Sequence, residues 1–518
     1  MSSPALPASP SPDTFQQLWR GAADEHADRT FLVFRAESGA VTAWTYAEFD
    51  RVVDTVAAIL AQAGVGPGSA VHIALRNCPA FVALWLAVAR LGAWFVPVDP
   101  SSAPRDITGQ LRRAQPVLGV CASARSSLYR EGAGHDGPIV LALAEDASDL
   151  APGGALRTQD APESGTEAAP GDRLAVMFTS GTTAEPKGVV LTQANYACAA
   201  RMMSQIIDLQ PRHRWHVTLP LFHANAQYYC IAPAIAVGAS VALSASFTAS
   251  GWVRHARELQ ATHASLFAAP LRMILARCPA GESVELEHVW FAQNLGQEHY
   301  EQFARLVGTR PRQLYGMTET VAIVCADASR PPTHDVIGTP LPGRRIHVAD
   351  PGGDSAPEPG QPGELHVLGT PGVDLFAGYL DDERTTARVF RETGDGTWFA
   401  TGDLVSTAAD GQLRFAGRAD DVIKVSGENV SLTEIEAVIA QAPGVLEAAV
   451  IAQPDPIRDV VPVAYVVARD PADPPRESDL ALWAEQNLTP AARPRAWHLI
   501  DELPRTSVGK VRRFRIAP

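Results

Sequence analysis

The most concentrated set of hydroxyl groups and glycines is the string TSGTTAEPKG at residues 179–188, directly after an apolar run. Phosphate oxygens are bound by many short donors at close backbone approach, and glycine permits that approach. Lys187 adds a positive charge, and the small residues are Thr179, Ser180, Gly181, Thr182, Thr183 and Gly188. The GxxxxGK[ST] order of a Walker loop is absent. The composition also suits a turn without a ligand, but the order of the string favours a phosphate-binding loop.

Two more strings combine an aromatic ring or a hydroxyl with a carboxylate: QLYGMTET at residues 313–320 and TGD at residues 401–403. An aromatic ring can stack on a base, and a carboxylate can hold Mg²⁺ or accept hydrogen bonds from neighbouring sugar hydroxyls. Taken alone, the first string also suits a helix start capped by Thr318, and the second suits a turn.

The C-terminal part carries GRADDVIKVSGENVSLTEIE at residues 417–436 and LPRTSVGK at residues 503–510. The first string follows a change in composition and also fits a strand and a helix joined by a polar turn. Arg512, Arg513 and Arg515 follow the second string, and a charge cluster of this kind is usually a solvated surface.

Together these strings resemble those of the ANL superfamily of adenylate-forming enzymes, which includes acyl-CoA ligases, peptide-synthetase adenylation domains and firefly luciferase. The chain is most similar to stand-alone acyl-CoA ligases, and the resemblance runs from about Phe15 to Arg513. It implies an ATP- and Mg²⁺-dependent ligase that joins a small acid to AMP with loss of pyrophosphate. The acid then passes to a second acceptor such as CoA.

The resemblance also implies roles for individual residues. For the nucleotide, Tyr315 packs on the adenine beside Gly316, Thr318 contacts the α-phosphate, Glu319 positions Mg²⁺, Asp403 binds the ribose and Arg418 aids binding. For catalysis, Lys510 is the lysine of adenylation, Asp420 is the hinge residue between two half-reactions, and Gly427 borders the acceptor tunnel. The arginines after Lys510 are predicted to be surface groups.

Departures from the superfamily pattern concern the pocket for the acid. The string FAQNL at residues 291–295 stands where many relatives have a GGAPL-like string, and Leu314 stands where relatives often have glycine. The side chains of Phe291, Gln293, Asn294 and Leu314 should fill the room that those glycines leave, so we expect a small substrate. His223 matches a gate position at which activators of α-amino acids usually carry Asp, although a hydrogen-bonded core histidine fits as well.

The acid and the acceptor remain open at this point. An organic acid is favoured, but a very small pocket could take nitrite for diazotisation of an aromatic amine, with Gln293 and Asn294 as neutral hydrogen-bond partners. The same amides could instead satisfy buried backbone groups. The acceptor is CoA by default, with an arylamine or a carrier-protein thiol as alternatives. A non-catalytic nucleotide-binding scaffold is disfavoured, because unpaired buried charges at Glu319, Asp403 and Lys510 would be costly without a ligand.

Apolar periodicity predicts the elements that carry these residues: helices at 46–63, 80–91 and 432–441, and buried strands at 70–74, 174–178, 448–452 and 463–467. The alternation indicates an α/β fold. We expect a disordered lead-in at residues 1–14 and a large N-terminal domain with helix-covered sheets at 15–417. A hinge at 418–421 and a small mobile α+β lid at 422–518 should follow.

The composition excludes several classes of protein. Acidic residues outnumber basic ones, 57 to 43, and the net charge of −14 disfavours nucleic-acid binding. The six cysteines lack metal-ligand spacing, so buried reduced thiols are expected. The uncharged stretch at 230–248 contains Pro233 and Gly238, which favours a buried helix followed by a strand over a membrane span. Without a signal-peptide pattern, these features predict a cytoplasmic protein.

Overall fold

A computed structural model describes residues 13–157, 166–179, 186–293, 295–350, 355–358, 360–425, 428–455, 459–505 and 511–516. Its helices are α1 (Phe15–Glu25), α2 (Tyr46–Gln62), α3 (Pro79–Arg90), α4 (Pro104–Ala114), α5 (Ser126–Ala133), α6 (Gln193–Ile206), α7 (Ala232–Val237), α8 (Trp252–Glu258), α9 (Ala268–Arg277), α10 (Gln297–Val307), α11 (Glu383–Val389), α12 (Leu432–Ile439) and α13 (Glu477–Asn487). A π-helix spans Asn225–Ile231, and short 3₁₀ helices span Ser123–Arg125, Ala147–Leu150, Thr318–Thr320, Ala419–Asp421 and Arg513–Arg515.

The strands of the described residues are β1 (Thr30–Arg35), β2 (Val41–Thr45), β3 (Ala70–Ala74), β4 (Trp94–Pro97), β5 (Leu118–Ala122), β6 (Ile139–Leu143), β7 (Arg173–Thr179), β8 (Lys187–Thr192), β9 (Arg214–Val217), β10 (Ser240–Ser244), β11 (His263–Phe267), β12 (His288–Ala292), β13 (Arg312–Tyr315), β14 (Cys325–Ala326), β15 (Thr339–Pro340), β16 (Arg345–Ala349), β17 (Gly363–Gly369), β18 (Gly378–Tyr379), β19 (Phe390–Thr393), β20 (Gly396–Thr407), β21 (Leu413–Arg418), β22 (Val422–Val425), β23 (Glu428–Ser431), β24 (Val445–Asp455), β25 (Asp459–Ala468) and β26 (Trp497–Leu499).

Two large, mostly parallel sheets form the body of the N-terminal domain. One has the order β15-β14-β13-β12-β11-β9-β10-β1-β2, and the other has the order β18-β8-β7-β4-β3-β5-β6 within the described residues. A third, antiparallel sheet joins β16, β17, β20 and β19, with β21 paired to β20. The expected α/β class with a large N-terminal domain is confirmed.

Helix α3 explains how the two large sheets share one core. All of its residues are buried, and they belong to the same apolar cluster as Phe34 of β1 and Phe95 of β4, one from each sheet. A helix that is apolar all round must be covered on every side. Its last residue, Arg90, is buried as well and forms ion pairs with Asp50 and Asp54 of α2.

The predicted elements agree with the structure to within a residue or two at most ends. The strand predicted at 70–74 is β3, the helix predicted at 46–63 is α2, and the stretch at 230–248 contains α7 followed by β10. Helix α2 begins where it does because Thr45 and Glu48 form a capping box. The proposed lead-in at residues 1–14 falls mainly outside the described residues. Thr14, its last residue, is buried and caps α1, so Thr14 belongs to the folded part.

The C-terminal part is a smaller mixed unit. Strands β24, β25 and β26 form one sheet, β22 and β23 form a hairpin, and α12 packs its apolar face into a separate core with Val450 and Val466. The proposed hinge at 418–421 coincides with the 3₁₀ helix Ala419–Asp421 between β21 and β22. The exact boundary and the mobility of the lid stay predictions. No helix among the described residues is both long and apolar enough to cross a membrane.

Candidate active site

A buried carboxylate links β13 of the first sheet to β20 and β21 of the third sheet. Tyr315, at the end of β13, donates its hydroxyl to Asp403 Oδ2 at 2.7 Å, and Arg418 Nη1 lies 3.3 Å from Asp403 Oδ1. Asp403 and Arg418 are opposite each other in the β20–β21 pairing. Burial and the Asp403 carboxylate both raise the pKa of Tyr315, so its phenol keeps the proton that it donates. The structure therefore brings together Tyr315, Asp403 and Arg418, which the sequence had placed in three motifs.

The TGD segment lies within β20 and is not a turn. Gly402 has a φ of +71°, and the register with β17 shifts between the pairs Glu364–Leu404 and His366–Ala400, as in a β-bulge. Thr401 Oγ1 donates to Leu365 O at 2.7 Å and accepts from Asp403 N at 3.1 Å. The glycine thus permits a local bend that aims Asp403 at Tyr315.

Glu319 and Lys187 are connected by Tyr379, a residue that the motifs did not identify. Tyr379 donates its hydroxyl to Glu319 Oε1 at 3.2 Å, and Lys187 Nζ lies 5.3 Å from the centre of the Tyr379 ring. Because β18 pairs with β8, Tyr379 is placed beside the strand that begins at Lys187. Burial and the charge of Glu319 raise the pKa of Tyr379, which keeps its hydroxyl as a donor. From the sequence, this contact could have been predicted only by recognising the short strand β18 and its pairing with β8.

The loop after Glu319 is fixed by Arg344, another residue that the motifs missed. Its buried guanidinium donates to the carbonyl oxygens of Thr320 at 2.7 Å, Ala322 at 3.3 Å, Ile323 at 3.3 Å and Asp374 at 2.9 Å. Val321, inside this loop, has a φ of +65°, which is rare for a β-branched residue and marks backbone strain. Arg344 therefore holds a strained segment next to the carboxylate of Glu319.

Thr318 and Gly316 occupy defined positions in the same loop. Thr318 is the first residue of the 3₁₀ helix Thr318–Thr320, not its cap, so the alternative of a helix capped by Thr318 is wrong. A Cβ on Gly316 would lie 2.9 Å from Tyr229 Oη and 3.1 Å from Ile323 Cα, so the close packing of the π-helix requires glycine there.

The phosphate-loop string is flanked by two described strands. Thr179 ends β7 and pairs with Lys187, the first residue of β8. Ser180, Gly181, Thr182 and Thr183 lie outside the described residues. A Cβ on Gly188 would lie 3.1 Å from Leu380 Cβ and from Val176 Cγ1, so close packing already accounts for that glycine.

The residues predicted to line the acid pocket are only partly brought together. His223 packs edge-on against Phe267, with ring centres 5.8 Å apart, and Phe267 shares a small apolar cluster with Leu219 and Ala292. Leu314 is buried in the main core. Phe291 instead packs on Tyr300 in a second core formed with α8, α9 and α10, so the structure does not support it as a pocket wall.

Gln293 is exposed and has a φ of +75°, a backbone conformation that favours glycine. Gln293 is thus a residue other than glycine in a conformation that suits glycine, as expected if the FAQNL string replaces a glycine-containing one. Asn294 lies outside the described residues.

The C-terminal motifs are described in part. Lys510 and Gly427 lie outside the described residues, as does the side chain of Asp420. Arg505 and Val511, on either side of the Lys510 segment, are joined by a β-bridge. Arg513 is not a solvated surface group as expected, because Nη1 lies 2.6 Å from Asp421 and Nη2 lies 2.7 Å from Glu436. It ties the C-terminal segment to the proposed hinge, whereas Arg515 is exposed.

The chemistry of the site suits a nucleotide with Mg²⁺. Among the described residues no cluster of three or more His, Cys, Asp or Glu side chains could hold a metal by itself. Mg²⁺ commonly takes one or two carboxylates together with substrate phosphates, and the single buried carboxylate of Glu319 fits that pattern. Lys187 would lie on the phosphate side of such a site. These contacts suit a nucleotide-binding enzyme in which motifs that are far apart in the sequence meet at one site.

The chain belongs to the family of AMP-binding enzymes, whose main domain matches residues 19–380 and whose C-terminal domain matches residues 434–510. It is therefore a member of the ANL superfamily of adenylate-forming enzymes. A crotonobetaine/carnitine–CoA ligase of Salmonella paratyphi A is 28% identical over a match of 511 residues. The match covers 96% of this chain and 97% of that protein.

Solved structures show the same fold. An anthranilate CoA ligase, AuaEII, in complex with anthranoyl-AMP has a TM-score of 0.86 at 21% identity, covering 98% of this chain and 97% of that one. A benzoate CoA ligase from Burkholderia xenovorans LB400 has a TM-score of 0.84 at 22% identity, covering 97% of this chain and 99% of that one.

Proposed function

We propose that this adenylate-forming ligase activates a small organic acid as its AMP anhydride and transfers the acyl group to CoA. The observation that carries the proposal is the contact of Asp403 with both Tyr315 and Arg418, which joins two predicted nucleotide motifs and the hinge motif. The similar proteins with named substrates reported above are CoA ligases for organic acids, which favours CoA over an arylamine and an organic acid over nitrite.

In the proposed reaction, the site residues have different roles. Tyr315 and Asp403 hold the adenosine, because the ring can pack on the base and a carboxylate can accept hydrogen bonds from ribose hydroxyls. Lys187 and Thr318 face the phosphates, and Lys510 stabilises the charge that develops when the acid oxygen attacks the α-phosphorus. Mg²⁺ bound at Glu319 would offset the charge of the phosphate oxygens. Gly427 would border the path of the thiol.

A small acid is supported by the side chains that replace glycine. Leu314 is buried in the main core, and Gln293 keeps a left-handed backbone without being glycine. A side chain at each of these positions would leave less room for the acyl group than glycine would. Phe291 does not contribute, because it packs on Tyr300 in the second core.

The test is release of AMP and pyrophosphate from ATP over short aliphatic acids, aromatic acids and nitrite, each with and without CoA or an arylamine. Acid- and CoA-dependent AMP formation with a thioester product supports the proposal. Nitrite-dependent AMP formation would replace it with the diazotising alternative. Nucleotide binding without turnover over the whole panel would indicate a scaffold.

A further inference from the structure

Asn225 is a buried amide that has no hydrogen-bond partner among the described residues. It is 3% exposed, and neither Oδ1 nor Nδ2 contacts a donor or acceptor among the described residues. Most buried polar side-chain atoms in folded proteins are hydrogen-bonded, so such an exception calls for a ligand or a special role. A second buried asparagine, Asn77, shows the usual situation: its amide donates to Leu219 O at 3.0 Å and Ser244 O at 3.2 Å and accepts from Leu221 N at 2.8 Å.

Asn225 lies between two residues of the candidate site. It begins the π-helix Asn225–Ile231, and its backbone N–H donates to His223 Nδ1 at 3.4 Å. Hydrogen bonds in a π-helix run from residue i to i+5, so Asn225 and Tyr229 lie about one turn apart on one side. Tyr229 in turn lies beside Gly316 of the QLYGMTET segment, since a Cβ on that glycine would be 2.9 Å from Tyr229 Oη. π-Helical turns are frequent at functional sites.

A buried hydroxyl near this helix, that of Ser265 on β11, also has no hydrogen-bond partner in the part of the chain that is described. On β11, Ala264 and Leu266 face the second core. Because side chains alternate along a strand, Ser265 shares its face with Phe267, which contacts His223. The unpaired hydroxyl of Ser265 therefore lies on the His223 side of the sheet.

We propose that Asn225 determines the substrate: it recognises a hydrogen-bonding substituent, such as a hydroxyl, amino or carbonyl group, on the small organic acid. The hydroxyl of Ser265 is available to the same substituent. This inference rests on the proposed acid ligase activity and adds the substrate class to it. A site built around unpaired polar groups discriminates against an apolar analogue, because binding that analogue leaves the groups unpaired.

The test uses acid pairs in which a hydroxyl is replaced by a methyl group of similar size: 3-hydroxybutyrate with 3-methylbutyrate, and 3-hydroxybenzoate with 3-methylbenzoate. The wild-type enzyme should prefer the hydroxy acid of at least one pair about tenfold or more in kcat/KM. Asn225→Leu, which is nearly isosteric, should abolish or reverse that preference. Equal preference in the wild type, or an equal loss for both acids in the variant, would overturn the proposal.

Asn77→Leu is the matched control, because it removes a satisfied amide of the same size. It should lower the urea midpoint and leave the preference between the acids unchanged. Asn225→Leu should keep or raise the urea midpoint; a fall as large as that of Asn77→Leu would show that the Asn225 amide is structural and would overturn the proposal. Thermal shifts with the same acids in the presence of AMP report binding separately from turnover. A wild type that binds the hydroxy acid preferentially without forming AMP would refute the ligase activity and retain the role of Asn225.

Discussion

In the proposed function, Asp403 serves both the fold and the ligand. Its buried carboxylate is held by a phenol from β13 and a guanidinium from β21, so its direction is fixed before a nucleotide arrives. Each carboxylate oxygen can accept more than one hydrogen bond, which leaves capacity for ribose hydroxyls. Changes to its partners should therefore affect nucleotide binding more than stability.

Tyr315→Phe removes the donor to Asp403 and keeps the ring. One lost hydrogen bond is worth about 1 kcal/mol, so the KM for ATP should rise roughly five- to tenfold. The measurement is pyrophosphate release against ATP concentration. Tyr300→Phe is the control, because it loses a hydrogen bond of 2.7 Å to Pro311 O in the second core. Similar KM values for the two variants would contradict the role of Tyr315.

Lys510 and Lys187 should differ in what their loss changes. Removal of a charge that acts mainly in the transition state costs on the order of 10²–10³ in kcat. Lys510→Ala should therefore lower kcat by about that factor with little change in KM for ATP. Lys187→Ala should change kcat less than tenfold, because its charge is also used in the ground state. A larger kcat loss for Lys187→Ala than for Lys510→Ala would refute this division.

At the scale of elements, the loop from Thr318 to Ile323 is organised by a side chain that follows it in sequence. Arg344 holds the loop through backbone carbonyl oxygens and pairs with the Asp374 carboxylate at 3.6 Å, which explains how a strained Val321 persists. The backbone N–H of Phe376 donates to Glu319 O at 2.9 Å and holds the other side of the loop.

Arg344→Met should release this loop while keeping most of the buried aliphatic length. We expect a loss of roughly 2–4 kcal/mol in the free energy of unfolding, because several buried carbonyl oxygens lose their partner. We also expect kcat/KM for ATP to fall tenfold or more. Urea unfolding and steady-state kinetics measure the two effects. Arg345→Met is the matched control, since that neighbouring arginine is exposed and forms a surface ion pair with Asp395, so the change should be nearly silent.

The sequence predicted regular elements and local motifs better than it predicted contacts between them. Strand β3 and helix α2 were identified because apolar periodicity is a local signal. Tyr379 and Arg344 were missed because their partners are separated from them by many residues and follow only from sheet pairing. Phe291 was misplaced because a string that departs from a motif does not reveal which face of its strand is buried.

At the scale of the whole molecule, several histidines are buried as neutral rings. Burial lowers the pKa of His72 to about 4, and burial with the charges of His255 and Arg35 lowers the pKa of His216 to about 3. Burial and His213 lower the pKa of His263 to about 3. His72 is also fully engaged, since its ring nitrogens contact Gln110 Oε1 at 3.2 Å and the Tyr129 hydroxyl at 2.8 Å. The folded state therefore excludes protons that the unfolded chain would take up below pH 6.5 or so.

Stability should consequently decline on mild acidification. Above a pH of about 6.5 these histidines are neutral in both states, and between that pH and their lowered pKa values only the unfolded state binds the protons. At pH 5.5 each of the three should cost about 1 kcal/mol relative to pH 7.5, by the value of one pKa unit. Urea unfolding at pH 7.5, 6.5 and 5.5 measures the slope. His72→Gln should flatten the slope by its share, whereas His135→Gln, at a fully exposed side chain, should leave it unchanged. A wild-type stability that is independent of pH over this interval would mean that the folded state accommodates the charged rings. Equal slopes for His72→Gln and His135→Gln would show that His72 does not contribute to the pH dependence of stability.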